Sequence, residues 1–246
     1  MSNHPSSDYD QFAWFYNKHW AGPWVDRVMP LLEKLLLPNL PSAASILDLC
    51  CGTGQLAARL AERGFRVVGV DISEEMLSFA RVNAPAILFH RADARSFSLD
   101  DTFDAAVSTY DSLNHLLTIE DIRKTFENVS RLLNPGAPFL FDLNMDVGYR
   151  ERWKGSFSMV ENDNVVAARS SYDSDRRTAR LDLTLFRLEG AGWRRVNLAL
   201  TQTCYRSEQI IAALHGTGFA DPAMYNITGD RIAEETGRTF FLARKQ

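Results

Sequence analysis

The chain has 246 residues, 46% of them hydrophobic and 11% aromatic, with a formal net charge of −4. That length supports one substantial core, or one domain with an elaborated insert, and the aromatic content excludes a disordered composition. The acidic balance argues against an extended nucleic-acid footprint, and no apolar stretch approaches the roughly 18 residues of a membrane helix, so neither partner is expected.

The opening MSNHPSSDYDQF has no basic or apolar leader, and a cytoplasmic location is expected. Cys50, Cys51 and Cys204 form no CxxC pair and no metal-ligand spacing, consistent with reduced thiols and no metal. In residues 9–20, Phe12, Phe15 and Tyr16 fall on one helical face while Trp14 points elsewhere. Residues 24–37 predict a second helix, which Pro30 should start or kink and Pro38 and Pro41 end.

From Ser45 the grammar changes. SILDL is a short apolar run, followed by Gly52, Gly54 and a helix over about 55–63. RVVGVD is a second run; Ser73 can cap the helix after it, with Glu74 and Glu75 in the first turn. AILFHRAD, FDAAVSTY and PFLFDLN are further runs, with a helix over 119–133 stopped by Asn134-Pro135-Gly136. Strands alternating with helices, apolar on both faces, predict an α/β fold with a doubly wound parallel sheet. After Asn144 the helical pattern disappears. RLDLTLFRLE places Leu181, Leu183 and Leu185 on one face, and the turn signal GAG joins it to WRRVNLALTQTCY. An antiparallel insert over 148–205 is therefore expected, leaning on a core of 1–147 and 206–246 with an N-terminal helical cap. Ser207 is expected to cap a helix before two last strands, AMYNIT and TFFLARK.

In open α/β sheets, ligands bind at the carboxyl ends of strands. Residues 50–54 lie there, with glycines that let backbone approach a ligand, and Asp71 ends the second strand about 20 residues on, where ribose hydroxyls are met. The pair predicts an adenosine-type cofactor. GTGQLA has alanine at the third position of a dinucleotide signature, an accepted variant, so the loop leaves a nicotinamide dehydrogenase open.

Taken together, DLCCGTG, VVGVDIS, RADA, FDAAVSTYDSLNHL and LLNPGAPFLFDLN resemble class I S-adenosylmethionine-dependent methyltransferases over most of the chain. The hairpin insert resembles the lid of a small-molecule subgroup that includes sugar N-methyltransferases. The resemblance implies a seven-stranded, mostly parallel sheet with one antiparallel strand near the end, S-adenosylmethionine as cofactor and S-adenosylhomocysteine as product. It implies that Gly52 and Gly54 face the methionine part, with Asp48 near its amino end and Cys50 lining the same loop. Asp71 would hold the ribose, Ile72 and Met76 would pack on adenine, and Asp93 and the Ala94 backbone would read the ring. The Thr109 carbonyl would meet the methionine ammonium, and Tyr9 or Tyr16 would close over the cofactor. The family usually has glycine where this chain has Cys50; cysteine fits there provided its φ is not positive.

Methyl transfer is an in-line displacement in which the protein mainly positions the acceptor and removes water. Within YDSLNHLL, His115 can take a proton or be a backbone-bonded helix-face histidine. Asp111 can attract an acceptor ammonium or cap a helix, and Asn114 is the third polar candidate. Asn144, Tyr149 and Arg150 can border the acceptor pocket or be ordinary loop polarity. Arg176, Arg177, Arg180, Arg194 and Arg195 suggest an anionic acceptor or a solvated strand face. The expected function is methyl transfer to N or O of a small soluble molecule by a monomer or homodimer. The alternatives are a nicotinamide oxidoreductase and a non-catalytic cofactor-binding protein.

Overall fold

The computed structural model describes residues 9–246; residues 1–8, where the sequence predicts no leader, lie outside it. The aromatic segment forms α1 (Ala13–His19), with Phe12 and Phe15 buried, and Trp14 turns to the guanidinium of Arg187, 4.3 Å from its ring. α2 (Ala21–Leu35) contains Pro30 rather than starting there. Proline removes one rung of the helix, and this residue sits on the exposed face.

The alternating region folds as β1 (Ser45–Leu49), α3 (Gln55–Ala61), β2 (Arg66–Asp71), α4 (Glu74–Asn83), β3 (Leu88–Arg91), β4 (Ala105–Ser108), α5 (Ile119–Leu132) and β5 (Pro138–Asn144). β4 and β5 are buried along their whole length, as strands covered on both faces must be. Ser73 caps α4 by accepting the Met76 N–H at 3.2 Å.

Next come α6 (Asp146–Arg152), β6 (Gly155–Val160), β7 (Asn164–Asp173), β8 (Thr178–Glu189) and β9 (Gly192–Thr203). The insert is thus larger than the expected hairpin: β6 to β9 form a four-stranded antiparallel sheet in sequential order, entered through a helix. The β8–β9 turn falls at Gly190, with φ of 62°, where the turn signal lay.

The chain returns through α7 (Ser207–Gly216), β10 (Phe219–Tyr225), β11 (Arg231–Ile232) and β12 (Arg238–Lys245). Ser207 does not cap α7; the Gln209 side chain accepts the Arg206 N–H at 3.0 Å instead. The main sheet runs β11-β10-β12-β5-β4-β1-β2-β3. Seven of its strands follow the expected layout, with β12 antiparallel to both neighbours, and the two-residue β11 adds an edge.

Two large apolar clusters fill the two sides of this sheet. A third joins Phe12 and Phe15 to Met76 of α4 and to Val166, Leu183, Leu185 and Leu200 of the insert. Burying one such side chain contributes about 1.5–3 kcal/mol, so this cluster fixes the insert over the carboxyl ends of β1 and β2.

Candidate active site

The loop after β1 makes three left-handed turns, with φ of 58° at Cys50, 54° at Gly52 and 79° at Gly54. The condition that Cys50 have a non-positive φ is therefore not met; a left-handed non-glycine residue costs about 1–2 kcal/mol. Asp71 ties the loop to the end of β2. Its carboxylate accepts the Gly52 N–H and the Ser73 N–H, each at 2.9 Å.

Gly52 is kept bare by Tyr16: a Cβ there would lie 3.3 Å from the Tyr16 ring. Gly54 has a different task. A Cβ on it would lie 2.9 Å from the Ala80 Cβ, so it lets α3 and α4 approach rather than facing a ligand.

Above the loop is a cavity of about 490 Å³. Cys50, Gly52, Asp71, Ile72, Met76 and Ala94 line it, together with Tyr9 and Tyr16. Asp93 lines it too, but its carboxylate is paired with Arg95 at 2.6 Å, which holds it below its ordinary range.

Asp48, Gly54 and Thr109 do not reach this cavity. Thr109 spends its hydroxyl on the Trp24 indole N–H at 3.0 Å and its carbonyl on the Ser112 hydroxyl at 2.9 Å. Asp48 lies beneath the loop, 2% exposed, with Oδ2 accepting no hydrogen bond. Burial, then the charge of Asp71, pushes its carboxyl up to about 8.

A second cavity of about 430 Å³ opens beside the first, between α1, α6, β6 and the main sheet. Tyr9, Tyr16, Tyr110, His115 and Leu200 line both cavities. His115 stands at this junction. Its Nδ1 faces the Thr201 carbonyl at 3.1 Å, and its Nε2 lies 2.8 Å from the Tyr9 hydroxyl and 2.9 Å from the Gln202 amide nitrogen. A carbonyl only accepts, so these partners assign the ring proton to Nδ1 and leave a lone pair on Nε2. Burial lowers its pKa, against the pull of Asp111, and keeps the ring neutral.

Asp111 neither caps a helix nor stands unpaired. Its carboxylate accepts from Arg238 and from the Gln202 amide, each at 2.6 Å. Asp142 of β5 also pairs with Arg238 and accepts the N–H groups of Tyr110 and Asp111 at 2.6 and 3.0 Å. That holds two successive left-handed residues, with φ of 69° and 50°. Burial raises the Asp142 carboxyl to about 6 against the attraction of Arg238.

Asn114 is fully buried and faces neither cavity. Its amide donates to the carbonyls of Asn144 and Thr203 at 3.1 and 2.8 Å, and its oxygen accepts the Asn144 N–H at 2.9 Å. It is a main-chain clamp between β5 and β9. Asn144 lines the second cavity, whereas Tyr149 donates to Gln202 at 2.7 Å and Arg150 pairs with Asp146 at 2.5 Å.

The insert arginines are locally engaged. Arg176 pairs with Asp173, Arg180 with Asp182 and Arg194 with Glu189; Arg177 donates to the Cys204 carbonyl, and Arg195 lies over Phe186. None lines the two cavities; the cations that do line the second are Arg152, Lys154 and Arg238. Sequence reading missed these, together with Tyr110, Asp142 and Gln202. Among the described residues, no group of three or more His, Cys, Asp or Glu could hold a metal.

A family model described as a methyltransferase domain matches residues 46–136. The Bacillus subtilis protein YqeM, named as a methyltransferase, is 35% identical, covering 96% of this chain and 97% of its own. A dTDP-3-amino-3,4,6-trideoxy-alpha-D-glucopyranose N,N-dimethyltransferase of Streptomyces venezuelae is 31% identical over 52% of each chain. Among solved structures, an S-adenosylmethionine-dependent methyltransferase from Clostridium acetobutylicum has a TM-score of 0.77 at 23% identity, covering 97% of this chain and 99% of that one. The S-adenosylmethionine-bound amino pentose methyltransferase CalS10 from Micromonospora echinaspora has a TM-score of 0.70 at 25% identity, covering both chains fully.

Proposed function

This chain belongs to the class I S-adenosylmethionine-dependent methyltransferases, and on that premise we propose that it methylates N or O of a small soluble molecule by in-line displacement at the junction of its two cavities. The nicotinamide and non-catalytic alternatives fall with the family membership. The observation that carries the proposal is the shared wall: a donor in the first cavity and an acceptor in the second would meet beside His115. The N,N-dimethyltransferases of dTDP-amino sugars among the relatives support nitrogen as the target.

The first cavity fits an adenosine-bearing sulfonium. Asp71 offers a ribose its carboxylate, Ile72, Met76 and Ala94 offer apolar surface to a flat ring, and Gly52 and Asp93 also line the space. Asp48, beneath the loop, keeps one carboxyl oxygen without a hydrogen-bond partner. Bound S-adenosylmethionine supplies a methyl group on a positively charged sulfur and leaves as S-adenosylhomocysteine. The chain's own residues orient and dehydrate. His115 Nε2 holds or relays the acceptor's proton, and Asp111, locked to Arg238, gives the junction a rigid acidic wall. The four-stranded insert acts as the lid, closing both cavities with Leu200, and Gln202 of β9 reaches into the second. The three cysteines are free, which supports a reducing, cytoplasmic setting.

Calorimetric titration with S-adenosylmethionine, S-adenosylhomocysteine and NADH tests the donor assignment. The first two are expected to bind and NADH is not. Asp71→Ala is expected to weaken both by about tenfold or more, the loss of a charge-assisted bond. Undiminished binding would remove the ribose assignment.

A further inference from the structure

The acceptor cavity continues past Arg238 into a groove of about 470 Å³ on the outer side of α2. Arg27, Arg152 and Arg238 line it, and among the described residues no acidic one does. Arg238 is engaged by Asp111 and Asp142, both almost wholly buried behind it. Arg27 and Arg152 have no ion pair or hydrogen bond among the described residues. Most other arginines of the chain pair with a carboxylate nearby, so two uncompensated guanidiniums in one recess stand apart.

The exposed Arg152 lies with its guanidinium beside Gly148 and Gly237. A Cβ on Gly148 would lie 2.8 Å from its Nη2, and one on Gly237 would lie 3.1 and 3.3 Å from its Nη2 and Nη1. The nearest neighbour of a Cβ on Gly148 is the Gly237 carbonyl oxygen, at 2.1 Å, so that glycine chiefly serves the close approach of two backbones, with the Arg152 guanidinium beside them. Burial, then the charges of Arg238 and Arg27, lowers its pKa, while Glu151 and Asp111 oppose this more weakly. The opposite wall is rigid: Trp24 and Tyr110 stack at 4.5 Å, and the Arg238 guanidinium lies 4.7 Å over Trp24.

We propose that this groove binds a phosphoryl or diphosphoryl group carried by the methyl acceptor. Two unmatched cations call for a dianion, which a single carboxylate does not supply. Planar guanidinium forks match phosphate oxygens in pairs. Tyr110, Arg152 and Arg238 line both the groove and the acceptor cavity. One molecule can therefore place its anionic end against Arg27 and Arg152 and its reacting atom toward His115. That last link rests on the methyl-transfer reading above; the anion site itself does not.

The test titrates the full chain with inorganic pyrophosphate and with uridine 5′-diphosphate as an organic diphosphate. Arg27→Gln, Arg152→Gln and the double variant are run alongside, with S-adenosylhomocysteine as the control ligand. Both diphosphates are expected to bind, the organic one more tightly. Each single variant should lose roughly tenfold, the double should lose nearly all binding, and S-adenosylhomocysteine affinity should change less than about twofold. Absent pyrophosphate binding, or binding unchanged in the double variant, overturns the site. Equal affinity for the two diphosphates overturns the acceptor-borne part and leaves an inorganic anion site. Failure of S-adenosylhomocysteine to bind the unmodified chain would instead sink the methyl-transfer reading, independently of the groove.

Discussion

Asp48 is a buried carboxylate with one oxygen unmatched, and its pH behaviour follows from that. Its carboxyl is raised to about 8, so the stability it contributes is fully present below the ordinary carboxylate range and lost as pH rises toward 8. Asp48→Asn imitates the protonated form. It is expected to raise the Tm of the ligand-free chain at pH 8, by about 2–4 °C per kcal/mol recovered, and to change little at pH 4. Thermal melts at the two pH values check this. His115 has the opposite sign of shift. Burial depresses its pKa, so a base role persists below the ordinary value of 6.5 and fails only at lower pH. His115→Gln is expected to lower kcat by about 100-fold or more and to flatten that acid limb. A pH–rate profile of both proteins distinguishes a proton-handling His115 from a merely packed one.

At the scale of elements, Asn114 joins strands that sequence distance keeps far apart. Asn114→Ala leaves the Asn144 N–H and the carbonyls of Asn144 and Thr203 without these partners. A loss of about 3 kcal/mol is expected in a denaturant melt, since each buried unsatisfied group costs about 1–3 kcal/mol. The same distances explain what was legible in the sequence. β1, β2 and β5 match their apolar runs residue for residue, because glycine, proline and caps bound them. The Gly52–Asp71 pair was legible because two consecutive strands present it. α6 was missed: DVGYRER is a single short helix without an extended apolar period. β6 was missed because it is exposed at five of its six residues and shows no inside–outside alternation. Arg238 and Gln202 reach Asp111 across 127 and 91 residues, beyond any local pattern. Cys50 was read correctly as part of the loop, but its backbone conformation follows from the turn and not from residue type.

For the whole molecule, the junction of the cavities depends on a charge set drawn from two strands and one loop. Asp142 of β5 and Asp111 after β4 both pair with Arg238 at the start of β12. Arg238→Leu is expected to cost about 3–5 kcal/mol, as when one partner of a buried ion pair is removed. Equilibrium unfolding checks it, with Arg27→Gln as the control that loses no such pair. β12 also lies between β5 and β10 in the sheet, so the strand with the highest residue numbers is an interior one. A ribosome delivers residues in numerical order. While residues 238–245 are still inside it, β5 has an open edge, β10 and β11 have no sheet to join, and Asp111 and Asp142 lack their Arg238 partner. The nascent chain can assemble its donor loop early, but it gains an acceptor chamber only when the last strand is threaded into the middle.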